Sequence, residues 1–168
     1  MATLVFDIET SRLPVEMFDE VQQEYLFREA QKLPEDQQPA KREEIARLFS
    51  LWPFTAQVVC IAMINADSGK GQVLYQADDF EEADEEEEEA LPDEAGGGGP
   101  ASTGGIEFAP QVDEAELLAA FWDVAKRYDS IVTFNGRGFD VPFLYLRSAL
   151  LNVPISRRDW LGDRKSVV

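Results

Sequence analysis

The chain has 168 residues, 45% of them hydrophobic and 11% aromatic, which suits one domain with a buried core and excludes a chain disordered throughout. The net charge is −18, but twelve acids and no base fall between Asp78 and Glu94, and the remainder carries only −6. That balance excludes a basic clamp on duplex nucleic acid, while an enzyme handling one strand end needs far less positive surface.

No apolar run is long enough to span a bilayer, and no basic leader precedes the first strand. The single cysteine, Cys60, lies in an apolar run and is expected to be a small buried hydrophobe. No internal disulfide can form, which fits a reducing cytoplasm.

In chain order, Ala2 to Ile8 reads as a strand, ended by Pro14. It carries Leu4-Val5-Phe6-Asp7-Ile8-Glu9-Thr10. Side chains at i and i+2 of a strand share a face, so Asp7 and Glu9 point the same way. Paired carboxylates repel unless a cation lies between them, and a hard divalent ion prefers such oxygens. The alternative is a strand that ends in surface acids. Val15 to Lys32 reads as a helix with Phe18, Val21, Tyr25 and Leu26 as its apolar stripe. Pro34 and Pro39 break the pattern, and Lys41 to Leu51 reads as a second helix with Ile45, Leu48 and Phe49 inward. Gln57 to Asn65 is a Val/Ile-rich buried strand, Ala66 to Gly71 is turn chemistry, and Gln72 to Gln76 is the return strand. Strands one to three then form an antiparallel meander.

From Ala77 to Gly105 the composition shifts to acids, then to Gly96 to Gly99, Pro100, Ser102 and Thr103. Such a segment buries too little apolar surface to offset its ordering entropy, so residues 77–105 are expected to be a disordered acidic and Gly-rich insertion. Its glycines lack the lysine and following helix of a phosphate loop. Ile106 to Ala109 reads as a short strand or edge. Asp113 caps the next helix, with Glu116 at the capping-box position and Leu117, Leu118, Phe121, Val124 and Ala125 as its buried stripe. Trp122 flanks that stripe. Ile131 to Phe134 reads as a strand parallel to the first. A further helix starts near Asp140, with Pro142 tolerated in its first turn. Leu144, Leu146, Leu150 and Leu151 are expected to carry it onto the sheet, and Asn152-Val153-Pro154 to stop it.

A second acid therefore follows an apolar strand, within Thr133-Phe134-Asn135-Gly136-Arg137-Gly138-Phe139-Asp140-Val141-Pro142-Phe143-Leu144. Phe-Asp-Ile-Glu-Thr at the N-terminus and Asn-x-x-x-Phe-Asp-x-Pro-Phe-Leu here, in that order, resemble the first two motifs of the DnaQ-like (DEDD) 3′–5′ exonucleases. The nearest likeness is to the predicted exonucleases related to the proofreading domain of family B DNA polymerases. The resemblance implies an α/β fold of ribonuclease H type, with the meander, a parallel strand and flanking helices. It also implies two divalent ions, Mg²⁺ or Mn²⁺, and hydrolysis at the 3′ end of a single-stranded nucleic acid.

Mapped onto matching positions, Asp7 would bridge the two ions, Glu9 would hold the ion that activates water, and Asp140 would hold the other. Asn135 and Thr10 would contact the terminal nucleotides. Gly136-Arg137-Gly138 lacks the third glycine of a dinucleotide fingerprint and reads as a tight turn, with Arg137 a candidate phosphate contact. Phe139 reads as core rather than as a stacking platform. The helices between the first two strands read either as a wall of the site or as simple packing on the sheet edge. The third motif of the family, a final Asp preceded by Tyr or His, has no match. The chain has no histidine, and Asp159 and Asp163 are its only acids after Asp140. The resemblance thus implies a C-terminally incomplete domain with weak or absent hydrolysis. The alternatives are a non-catalytic module that binds nucleic acid or docks a protein, and a fragment that does not fold stably.

Overall fold

The computed structural model describes residues 2–77 and 105–160. β1 (Thr3–Arg12), β2 (Ala56–Asn65), β3 (Gly71–Gln76), β4 (Ile106–Gln111) and β5 (Ser130–Val132) form one sheet in the order β4-β3-β2-β1-β5. β1, β2 and β3 are the expected antiparallel meander, and β5 runs parallel to β1. This is the mixed α/β sheet of a ribonuclease H-like fold. The predicted short edge is β4, which extends the sheet parallel to β3. Residues 78–104 of the expected insertion lie outside the described residues. Its end residues Ala77 and Gly105 are tied to the ladder by Ala77 N–H donating to Gln111 O and Gly71 N–H to Gly105 O.

The alternation in β1 is obeyed: Leu4, Phe6 and Ile8 are buried while Val5, Asp7 and Glu9 are exposed. The strand outruns its predicted end at Ile8. A register shift between Glu9 and Thr10, with Val59 of β2 as the extra residue, lets Thr10, Ser11 and Arg12 continue to pair with β2.

The helices α4 (Glu114–Ala125) and α5 (Asp140–Leu150) cover the buried face of β1. Asp113 caps α4 by accepting from Glu116 N–H at 2.9 Å. The Glu116 carboxylate reaches back to Val112 N–H rather than to the capping residue. Leu117, Leu118, Phe121 and Ala125 are buried as expected, and Trp122 joins them, donating to Ser148 Oγ at 2.8 Å.

In α5 the sequence reading fails at two leucines. Leu146 and Leu150 are exposed, and Val141, Phe143, Leu144, Arg147 and Ser148 form the inner face. A buried ion pair fixes that face: Arg147 binds Glu114 of α4, so the helix turns its arginine inward and two leucines outward.

The region between β1 and β2 departs further from expectation. The single predicted helix is a 3₁₀ turn at Val15–Met17 followed by α1 (Glu20–Leu26) and α2 (Arg28–Gln31). Asp19 and Gln22 form a reciprocal capping box that restarts the helix at Glu20. Val21 and Tyr25, read as inward, are exposed, as is Leu48. The second predicted helix is α3 (Gln38–Arg47) with a 3₁₀ turn at Leu48–Leu51. Within these helices and turns Phe27, Ala30, Ala46 and Phe49 are deeply buried, and Pro53 and Thr55 follow in the loop into β2. This small core ends too soon to cover the outer residues.

The described segment after α5 folds back onto the domain. Tyr145 Oη donates to Arg157 O, and Ser156 Oγ donates to Trp122 O at 2.7 Å. Trp160 is fully buried, stacked on Phe6 at 5.9 Å and packed on Trp122 at 5.5 Å.

Candidate active site

Asp7 and Glu9 stand on the face of β1 that α4 and α5 leave open. Asp140 reaches β1 from the other side of a tight turn. At Gly136 a Cβ would lie 1.8 Å from Thr133 Cγ2, so the close approach there admits only glycine. Asn135 takes a left-handed φ of 54°, which Asn tolerates. Its carbonyl accepts from the N–H groups of Gly138 and Phe139, and Gly136 O accepts from Val141 N–H. The chain therefore reverses within six residues and starts α5 with Asp140 beside β1. Phe139 packs on Phe143 at 5.3 Å, as core rather than as a platform.

Asp140 is only 2% exposed. Burial raises its carboxyl pKa above the ordinary Asp value, and the negative charge of Asp7 raises it further. The backbone at Asp140 and Ile8 and the Thr133 hydroxyl pull it back, since each favours the charged form. Thr133 Oγ1 is itself buried and makes no hydrogen bond of ordinary geometry, so its influence on Asp140 is that of a nearby dipole. The two acids, 133 residues apart in sequence, thus feel one another.

Asp7 lines a depression of about 910 Å³ on the open sheet face, with Val5, Ala62, Ile64, Val132 and Phe134 around it. Phe134 is 91% exposed at its edge. The sequence reading missed this depression. Its signal was the near-continuous apolar run of β2, which puts Ala62 and Ile64 on the face that an ordinary half-buried strand would leave polar.

The other predicted site residues are placed differently. Glu9 shares the open face with Asp7 but sits opposite Cys60 in the β1–β2 pair. Cys60 is half-buried rather than buried; desolvation, then the Glu9 charge, raises its thiol pKa. The Thr10 hydroxyl donates to Ser50 O at 2.7 Å. Asn135 lies with its amide against Gly138, and Arg137 is exposed on the same turn. Asp159 pairs with Arg157 at 2.9 Å, which lowers its pKa, and Asp163 lies outside the described residues.

Among the described residues no group of three acids, histidines or cysteines is gathered so as to hold a metal. Asp7 and Asp140 are hard oxygen donors whose repulsion a divalent ion would relieve. Of the predicted donors, Asp7 and Glu9 share the open face of β1 and Asp140 lies at the start of α5; carboxylates of this kind would hold Mg²⁺ or Mn²⁺.

Residues 105–166 match a family described as predicted 3′–5′ exonucleases related to the exonuclease domain of PolB. The chain resembles the PolB-related exonuclease family. The matched segment holds α4, β5, the Gly136 turn and Asp140, whereas Asp7 and Glu9 precede it. Two curated proteins called DNA polymerase 1 share short stretches with the chain. That of Sulfurisphaera ohwakuensis is 46% identical over 39 residues, and that of Sulfolobus acidocaldarius 41% over 39 residues. Each stretch is 23% of this chain and 4% of the polymerase, so the match spans a small part of those relatives. The family B DNA polymerase of the hyperthermophilic archaeon Pyrobaculum calidifontis superposes with a TM-score of 0.44 at 21% identity. That superposition covers 96% of this chain and 12% of the polymerase.

Proposed function

We propose that this chain is a metal-dependent 3′–5′ exonuclease module that acts on the 3′ end of a single-stranded nucleic acid, DNA in the first instance. What supports the reading is that Asp140, buried at the start of α5, has the Asp7 charge among those that act on its carboxyl, although the two lie far apart in the sequence. Asp7 presents its carboxylate to the open depression, where a strand end can reach it. Asp140 is anchored from behind by burial, and the Gly136 turn fixes its approach. Phe134 and Val132 offer apolar surface for the terminal sugar or base. Asn135 and Arg137, on the exposed turn, are placed to meet the backbone of the strand. When bound, Mg²⁺ or Mn²⁺ supplies charge neutralisation and an activated water.

The test is release of mononucleotides from a labelled single strand in Mn²⁺, comparing the wild type with Asp7→Ala and Asp140→Asn. Loss of release in both variants supports the reading. Equal release in Asp7→Ala removes Asp7 from the chemistry and the reading with it. One observation favours a second reading, a non-catalytic strand-end binding module: the described acids do not gather in a set of three. Binding of the strand end without release under any metal would establish that reading instead.

A further inference from the structure

Among the described residues, two buried polar side-chain atoms have no hydrogen-bond partner, Trp160 Nε1 and Thr133 Oγ1. Buried polar groups are seldom left so, and each one that is calls for an explanation. The Trp160 ring is shut among Phe6, Phe121 and Trp122, where packing alone accounts for it.

Thr133 is different. It follows β5 directly and lines the depression together with Asp7 and Asn135. The two branches of its side chain face different neighbours. The methyl lies against Gly136, where a Cβ would come within 1.8 Å of Thr133 Cγ2 but 3.4 Å from Oγ1. The Gly136 carbonyl in turn accepts from Val141 N–H at 2.9 Å, which closes the turn one residue past Asp140. Thr133 therefore packs on the turn that delivers Asp140. Its hydroxyl is among the groups that act on the Asp140 carboxyl, yet it makes no hydrogen bond of ordinary geometry. Thr133 is 6% exposed and Asp140 2%, so little solvent reaches either one.

We propose that Thr133 is a positioning residue for Asp140: its methyl braces the Gly136 turn, and its hydroxyl is the donor that fixes the Asp140 carboxylate when a divalent ion is bound. The inference rests on the metal-site reading above and adds to it a residue outside the set of ligands. A carboxylate that holds a metal is itself held by hydrogen-bond donors, which orient it and tune its affinity. A hydroxyl bonds an ionised carboxylate about twice as strongly as it bonds a neutral group. A threonine that only filled space at Gly136 would have no use for its hydroxyl, and valine would serve there better.

Mn²⁺ binding by the full chain, read from the loss of the free-ion electron paramagnetic resonance signal, tests this without turnover. The acidic run between Asp78 and Glu94 gives every variant the same background, so binding at the site is the difference from Asp7→Ala. Thr133→Val keeps the shape and the methyl and removes only the hydroxyl. It should bind Mn²⁺ about tenfold more weakly than the wild type. In EDTA it should melt no lower than the wild type, because the hydroxyl it loses had no partner. Thr133→Ser keeps the hydroxyl and removes the methyl, and should bind Mn²⁺ as the wild type does.

Wild-type Mn²⁺ affinity in Thr133→Val would overturn the inference. So would a Thr133→Ser as weak as Thr133→Val, which would leave the methyl and its packing as the whole role. A lower melting temperature for Thr133→Val in EDTA would also overturn it, since the hydroxyl would then be engaged without the ion. Wild-type affinity in Thr133→Val, with the wild type still binding more tightly than Asp7→Ala, removes Thr133 and leaves the metal site. A wild-type titration that superimposes on that of Asp7→Ala removes the metal site, and this inference with it.

Discussion

Asp140 is buried where a carboxylate costs stability, and that burial is the largest cause of its raised pKa. Because its pKa is raised in the folded state, the folded protein holds that proton more tightly than the unfolded chain does. The stability it contributes is present at low pH and is lost as pH rises from the ordinary Asp range through the raised value. Asp140→Asn should remove this loss. The wild-type-minus-variant difference in melting temperature should fall as pH increases through that window, and melts across it in metal-free buffer would show the trend. A flat difference would mean that Asp140 is not strained by burial. Trp160 is the opposite case, a residue buried for packing alone, against Phe6, Phe121 and Trp122. Trp160→Ala should cost about 3–5 kcal/mol, read by urea unfolding.

At the scale of elements, one buried ion pair sets how α4, α5, β2 and the Pro53 loop meet. Glu114 Oε1 accepts from Val58 N–H and from Arg147 Nε, both at 2.8 Å, while Arg147 Nη2 binds Glu114 Oε2. Removing one partner leaves an uncompensated charge in the core. Arg147→Ala should therefore cost about 3–5 kcal/mol in denaturant unfolding. The pair Glu114→Gln with Arg147→Met should recover part of this, because both charges leave together. The same pair accounts for a misreading of the sequence. A helix written Asp140-Val-Pro-Phe-Leu-Tyr-Leu-Arg-Ser-Ala-Leu invites its leucines inward, yet Arg147 takes the inner face because Glu114 waits there. In contrast, the Asp113 cap of α4 and most of its buried stripe were legible, because both are local features, although Val124 is only partly buried. The break of the first predicted helix into α1 and α2 was legible only in part. Asp19 and Gln22 are a capping box in plain sight, but the exposure of Val21 and Tyr25 depends on how far the small core beneath them reaches.

For the whole molecule, the relevant property is that the fold lets the charge of Asp7 act on Asp140 from a distant part of the chain. A cation that binds only the folded state raises its stability, by about 2.7 kcal/mol at a hundred times the dissociation constant. Mn²⁺ should thus raise the melting temperature of the wild type and have little effect on Asp7→Asn. An equal shift in both would place the ion elsewhere.

The sequence by itself determined the meander, the parallel strand, the capped α4, the glycine turn before α5 and the shared face of Asp7 and Glu9. Each follows from rules that act over a few residues: alternation, capping and the room a side chain needs. Only the tertiary structure decided that Asp140 is buried at the start of α5 while Glu9 sits opposite Cys60, that Trp160 closes the core, and that several aromatic rings stay uncovered. These depend on what distant segments supply to one place, and no local pattern encodes the depth to which a neighbour will bury a residue.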